Sequence, residues 1–361
     1  MQIQQFEVDK KNLSEFKINN VDSAPIEDGE IRVAIDCFAL TANNITYGVV
    51  GERIGYWQFF PCPEPWGIIP VWGFADVIES RHDEIAVGER LYGYWPMGTH
   101  LTMKPGKVAA QRLTDAADHR ANLPAVYNSY ARCSHEPHYD PAMDNARMLL
   151  FPLYATSYCL YDYLLDNAYF GAEQVIIPSA SSKTAIGLAY ALADDAEAKP
   201  SVGITSSGNL EKTKALGLYD EVLTYDQIAE VNNQPSVIVD MSGNGSVLAQ
   251  LHQHLGDNMR FTSNVGLTHY DENQMTDGFI KERSQMFFAP GHIQKRAKDW
   301  GPGEFDKKSF MFWHGAAKRS SAWLGYEHVA GIAQFSDAYK NMLAGHIRPE
   351  VGLILSPTTK D

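Results

Sequence analysis

The chain has 361 residues, with 30 Lys and Arg against 44 Asp and Glu, a formal net charge of −14 with histidine neutral. That length allows one large domain or two ordinary ones, each with a buried core, and excludes a disulfide-stapled miniprotein. A surface this acidic repels a phosphate backbone and no basic patch is concentrated anywhere, so no nucleic-acid partner is expected; 45% hydrophobic and 20% charged residues exclude wholesale disorder.

The longest apolar stretches, such as Met148 to Leu153, fall far short of the roughly 18 to 20 residues that cross a bilayer, so no membrane partner is expected. Met1 to Lys11 is polar and lacks the basic start and apolar run of a secretory signal, which makes a cytoplasmic address the expectation. Cys37, Cys62, Cys133 and Cys159 are scattered without a CxxC pair, a pattern of small buried thiols rather than a disulfide framework or a zinc lobe.

In chain order, Glu30 to Phe38 alternates around Ile31, Val33 and Ile35 and predicts a strand. Segments rich in Pro, Gly and Trp follow, with further strands over Gly73 to Ser80 and Gly88 to Tyr94; short strands at this spacing suggest a barrel. Arg147 to Leu165 predicts a long apolar helix, with a turn at Gly171. Strand and helix then alternate: Gln174 to Pro178, Thr184 to Ala193, Ser201 to Thr205, Leu210 to Leu216, Glu221 to Tyr225, Val237 to Asp240, Val247 to Leu255 and Arg260 to Asn264. That order specifies a parallel sheet covered on both faces. The tail alternates at Val329 to Ile332, predicts a helix near Ser336 to Ala344 and closes with a strand at Val351 to Leu355.

The segment Val175 to Gly187 reads as a buried strand, a tight turn and a helix, the context of a dinucleotide phosphate turn. Where its glycines would fall stand Ser179, Ser182 and Ala185. Ser181, Ser182, Lys183 and Thr184 offer hydroxyl and ammonium donors beside the positive end of the helix; equally, the serines serve as an ordinary helix cap with Lys183 in solvent. The Ser-Lys-Thr triplet lacks the glycines of a nucleoside-triphosphate loop. Past the next strand, Thr205 to Asn209 presents Ser206, Ser207 and Asn209 and no carboxylate for a bare ribose 2′-hydroxyl. With Lys212 and Tyr225 nearby, this leaves room for a 2′-phosphate and leans towards NADPH, while a plain polar turn fits as well.

An ordered series of segments resembles the medium-chain dehydrogenase/reductase superfamily, specifically its zinc-free quinone oxidoreductase and enoyl reductase branch. Val33 to Thr46 is similar to its strand entering an Asn-x-x-Asp turn, with Thr46 for the acid. Val87 to Gly93 is similar to its Val-Gly-Asp-Arg-Val-x-Gly turn, Leu150 to Tyr158 to the helix beside the nicotinamide, and Lys214 to Gly217 with Tyr225 to its Lys-Ala-Leu-Gly and Tyr. Val239 to Gly243 and Pro349 to Leu355 complete the series. The resemblance implies an α/β chain: a GroES-like barrel domain from residues 1–126 and 291–361, a Rossmann doubly wound parallel sheet inserted over 127–290, and an active cleft at their junction.

It further implies NADPH reduction of an activated C=C or carbonyl in a small enone, quinone or enoyl thioester, and a homodimer. Tyr56 is placed as proton donor, with Tyr47 as the nearby alternative and Asn43 near the nicotinamide ribose and substrate. Thr156, Ser179, Ser181, Ser182, Lys183, Thr184, Ser206, Ser207, Asn209 and Tyr225 are placed on the cofactor. The altered turn keeps a second reading open, a ligand-binding or non-redox protein such as a lyase that has lost hydride transfer. Residues 123–146, rich in Tyr, His and Asn, are longer than the family's linker. No metal is expected: Cys and His are absent from the zinc-binding turns, the prolines around His135 and His138 favour a plain loop over a site with Glu136 or Cys133, and His252 and His254 face different ways on one helix.

Overall fold

The computed structural model describes residues 1–137, 139–266 and 278–359. The chain divides into two compact units, Met1–Leu149 with Trp323–Asp361, and Leu150–Ala322. The mixed architecture is the one expected, an antiparallel sheet unit with a parallel sheet unit inserted in the sequence.

In the first unit the strand Ile31–Leu40 pairs antiparallel with Pro70–Ser80, which pairs with Arg90–Pro96. The sheet continues through Ser129–Arg132 to Arg112–Thr114. On the other side the C-terminal strand Val351–Ser356 pairs with Ile31–Leu40 and, in parallel, with Gly325–Ala330. A second sheet joins Phe16–Asp22, Gln2–Asp9 and Trp66–Gly67.

The boundaries lie later than 126/127 and 290/291 because of pairing. Ser129–Arg132 belongs to the antiparallel sheet, and charged contacts tie Tyr139 and Asp144 to it. Arg90 donates to Asp36 (2.9 Å), Asp76 (3.2 Å), Asp144 (3.2 Å) and the Tyr139 hydroxyl (3.3 Å), while Arg147 pairs with Glu136 at 2.6 Å. At the other end, helices over Ala289–Trp300 and Glu304–Ser320 belong to the second unit, where Ser320 shares a 2.6 Å hydrogen bond with Tyr154. Phe305, Trp313, Ala316 and Ala317 are the buried face of the second of these helices, a helical spacing that the alternation analysis leaves unassigned.

The second unit is an open parallel sheet in the order Glu221–Thr224, Ser201–Thr205, Gln174–Pro178, Ser236–Asp240, Met259–Asn264, Ser284–Met286. Its central strands are apolar at consecutive positions because both faces are covered. Ile176, Ile204 and Ile238 pack with Leu248 and Leu251 of the helix Gly245–Leu255. Val175, Ile177, Val237 and Val239 pack on the opposite face with Leu160, Leu164, Leu188 and Leu192. The last four come from the helices Asp144–Asp166 and Lys183–Ala193.

Candidate functional site

In the parallel unit, strand order reverses at Gln174–Pro178, whose neighbours are Ser201–Thr205 and Ser236–Asp240. The carboxyl ends of such strands border the crevice where open α/β sheets bind ligands. The turn leaving Gln174–Pro178 carries Ser179 at φ +60°, the left-handed conformation that glycine ordinarily supplies. Tyr225 lies beside it: burial raises the phenol's pKa, while the nearby Ser179 N–H and hydroxyl favour its phenolate. The Ala180 N–H donates to Ile204 (3.0 Å) and its carbonyl accepts from the Tyr219 hydroxyl (2.8 Å), so the turn is pinned to the neighbouring strand.

Ser181 Oγ accepts from Thr205 Oγ1 and from Asn209 Nδ2, both at 3.2 Å, so its own proton is directed to a third partner. Ser182 is the helix N-cap, its Oγ accepting from the Ala185 N–H at 3.3 Å. Lys183 and Thr184 open the helix and are half-buried, and the Thr184 carbonyl accepts from Ser157 Oγ at 2.7 Å. Ser206 and Ser207 are exposed just past the strand Ser201–Thr205. Thr156 donates to the Pro152 carbonyl of its own helix at 3.1 Å. The turn therefore gathers Ser179, Ser181, Asn209 and Tyr225, while Thr156 is engaged within its helix.

Two further residues of this region come from the structure. Gly187 lets the helix Lys183–Ala193 approach Asp144–Asp166, since a Cβ there would lie 2.5 Å from Ser157 Oγ and 2.6 Å from Tyr154 Cδ1. Asp240, buried at the end of its strand, accepts from the Ser242 N–H (2.9 Å), the Ser242 hydroxyl (2.6 Å) and the Gly243 N–H (3.0 Å). Burial nonetheless pushes its carboxyl up to about 6.

In the antiparallel unit two of the three expected catalytic candidates, Tyr47 and Tyr56, share one aromatic cluster with Tyr127. Asn43 and Tyr47 lie on the helix Ala42–Val49, and Tyr56 follows Gly55, whose φ of +86° turns the chain. The Tyr56 and Tyr127 hydroxyls are 2.9 Å apart, and the Trp72 indole N–H donates to the Tyr47 oxygen at 3.4 Å. The Tyr47 ring centroid lies 4.5 Å from that of Tyr56 and 6.4 Å from that of Tyr127. Tyr94 closes the group, its ring centroid 4.7 Å from that of Tyr127, with a buried hydroxyl that has no hydrogen-bond partner. Burial raises the pKa of Tyr47, Tyr56, Tyr94 and Tyr127, so all four are neutral phenols near pH 7. Tyr127 lies in the tyrosine-rich 123–146 segment, and its composition was the one signal that pointed there.

His138 lies outside the described residues; Glu136 is paired with Arg147, and burial pushes the Cys133 thiol up to about 12. His252 Nδ1 accepts from the Ile280 N–H (2.9 Å), which makes Nε2 the donor to Thr262 Oγ1 (2.9 Å), whereas His254 meets the Val231 carbonyl (2.7 Å). Among the described residues no group of three or more His, Cys, Asp or Glu is arranged to hold a metal ion, and no helix is long and apolar enough to cross a membrane.

Residues 38–348 match a family model described as a protein of unknown function, DUF2855. The chain belongs to the DUF2855 family. No curated protein matches it. Solved structures with a similar fold include CurA in complex with NADPH from Vibrio vulnificus, at 13% identity and TM-score 0.64, covering 99% of this chain and 100% of that one. A quinone oxidoreductase from Coxiella burnetii is 12% identical with TM-score 0.58, covering 99% of each chain. The Etr1p/NADP/crotonyl-CoA complex is 12% identical with TM-score 0.59, covering 99% of this chain and 100% of that one. The DUF2855 chain thus has the fold that its resemblance to the medium-chain dehydrogenase/reductase superfamily implies.

Proposed function

We propose that this DUF2855 protein is an NADPH-dependent reductase of an activated C=C or carbonyl, in a small enone, quinone or enoyl thioester, working without zinc as a cytoplasmic homodimer. The turn at Ser179 carries this reading: a serine held at φ +60° reproduces the backbone of the missing glycine. The doubly accepting Ser181 Oγ keeps its proton for a phosphate oxygen. Ser182, Lys183 and Thr184 add the helix N-terminus, and with no carboxylate in 205–209, Ser206, Ser207 and Asn209 suit a 2′-phosphate. The similar fold of NADPH- and NADP-bound proteins supports the same cofactor.

When bound, the nicotinamide supplies the hydride. The chain's residues then orient the substrate and protonate the product, and Tyr56, a neutral phenol, is the donor. Nicotinamide fluorescence during titration with NADPH and NADH tests the reading: saturable enhancement at micromolar NADPH supports it, and flat traces with both sink it. Lys183→Ala weakens the binding if that ammonium meets a phosphate.

A second reading, a ligand-binding or non-redox protein such as a lyase, is favoured by one observation. The Asn209 amide, assigned to the cofactor, is engaged instead with Ser181. Flat nucleotide titrations would leave this reading standing.

A further inference from the structure

The strand Gln174–Pro178 is entered through a second left-handed turn. Ala168, Tyr169, Phe170 and Gly171 have φ of +48°, +51°, +55° and +72°, and ψ of Tyr169 and Phe170 is +23° and +26°. L-residues visit this region singly, because the Cβ crowds the following carbonyl oxygen, so three successive non-glycine residues there must be held by their surroundings. The backbone contributes two hydrogen bonds, from the Phe170 N–H to the Asn167 carbonyl (2.8 Å) and from the Ala172 N–H to the Tyr169 carbonyl (2.9 Å). Side chains contribute the rest. Tyr169 is buried with Leu160, Leu164, Val175 and Val237, and the Phe170 ring lies flat on Phe261 of the strand Met259–Asn264, with centroids 4.1 Å apart and planes 10° apart. Tyr163 of the preceding helix stands 5.6 Å from the Phe170 ring.

The chain then enters the sheet at once. The Glu173 N–H donates to the Pro235 carbonyl (2.7 Å), and Gln174 Nε2 donates to the Asn232 carbonyl and to Ser236 Oγ, both at 2.7 Å. Val175 is paired with Ser201 on one side and Val237 on the other, so the strand cannot slide without breaking two ladders. Its far end runs into Ser179, also left-handed. A buried strand of this length is a stiff strut of about 16 Å, and strained backbone holds it at both ends.

We propose that Phe170 is a positioning residue for the phosphate turn: its stack on Phe261 keeps 168–171 left-handed, and the strand Gln174–Pro178 carries that constraint to Ser179 and Ala180. This rests on the reading of that turn as the NADPH pyrophosphate site. Phe170 lies at the amino end of the strand, away from the carboxyl ends that border the crevice, and acts only through the backbone it orients.

The test contrasts Phe170→Ala with Phe170→Gly in the full chain. Both delete the ring, but alanine keeps the Cβ that left-handed backbone disfavours and glycine does not. Were the ring needed for packing alone, glycine would be at least as damaging as alanine. Phe170→Ala is expected to weaken NADPH binding about 10-fold by nicotinamide fluorescence, the scale of one left-handed penalty. Phe170→Gly is expected to stay within about 2-fold of wild type, and Phe170→Tyr, which keeps the stack, to match it. Equal losses in the alanine and glycine variants, or no loss in either, would overturn the proposal.

Amide exchange at Ala180, whose N–H donates to the Ile204 carbonyl at 3.0 Å, reads the coupling without nucleotide. It is expected to be about 10-fold faster in Phe170→Ala than in Phe170→Gly. Equal rates would overturn the inference, whereas the expected difference in a chain that binds no NADPH would sink the cofactor reading alone.

Discussion

Ser179 offers the sharpest test of the phosphate turn, because its conformation and its chemistry pull apart under substitution. At φ +60° a residue with a Cβ carries a left-handed penalty of about 1–2 kcal/mol, which glycine escapes. Glycine in turn loses about 0.5–1 kcal/mol more backbone entropy on folding. Either Ser179→Gly or Ser179→Ala removes the hydroxyl beside Tyr225. The hydroxyl term is common to both variants, so their difference isolates the backbone. The glycine variant should be the more stable by about 0.5–1 kcal/mol, the reverse of the ordinary order of these residues in regular structure. Ser179→Val, with a branched side chain at positive φ, should be worse than alanine by a further ~1 kcal/mol or more. Hydrogen exchange read by mass spectrometry on peptides covering 174–193 measures the local opening free energy directly. An alanine variant as stable as the glycine one would refute the left-handed geometry, and with it the claim that this serine stands in for a phosphate-turn glycine. If the geometry holds, Ser179→Gly should also retain NADPH binding, since the backbone that would cradle the pyrophosphate is unchanged.

Asp240 and His252 should oppose each other in the stability of the parallel-sheet unit. The Asp240 carboxyl, raised by burial from 3.8 to about 6, contributes stability that is present below pH 3.8 and lost as pH rises through 6. His252, lowered from 6.5 to about 4 by burial and by Arg283, contributes stability that is present above pH 6.5 and lost as pH falls through 4. Asp240→Asn removes the first, so urea unfolding of the variant should show an uncompensated loss of about 3 kcal/mol between pH 6.5 and 4; a profile parallel to wild type would disprove the pairing. Tyr94→Phe, which deletes a buried hydroxyl without a partner, should leave stability unchanged or raise it by about 1 kcal/mol in thermal unfolding, and a loss above 1 kcal/mol would mean that the hydroxyl is bonded. Gly187→Val should cost about 3 kcal/mol or more, because its Cβ falls 2.5 Å from Ser157 Oγ; Ser157→Ala in the same chain should recover part of that loss. Asn209→Asp should weaken NADPH more than NADH by placing a carboxylate beside Ser181, and equal loss for both would move the 2′-phosphate site elsewhere.

Local pattern was sufficient for the alternation of Gln174 to Pro178, Ser201 to Thr205 and Val237 to Asp240 with helices. A strand buried on both faces must be apolar at every position, and that needs no knowledge of its neighbours. The unit boundaries were less legible. Nothing local to Ser129–Arg132 says that it pairs with Leu91 and Tyr92, nor that Arg90 gathers three aspartates from distant stretches. The helix Glu304–Ser320 carried its apolar spacing in plain view, yet which sheet it covers depends on where the chain returns.

The same division runs through the candidate site. That Ser179 replaces a turn glycine is visible in the sequence; that it takes positive φ, in a turn pinned through Ala180 to Ile204 and Tyr219, is a tertiary fact. Tyr47 and Tyr56 are near each other along the chain, but Tyr127 and Trp72 reach them only because a strand and a loop from elsewhere fold back on the helix Ala42–Val49. Composition and periodicity report what each segment must bury, and so they determined the sheet types. Hydrogen-bond direction depends on which donors meet which oxygens across long sequence separations, and the folded chain alone decides that.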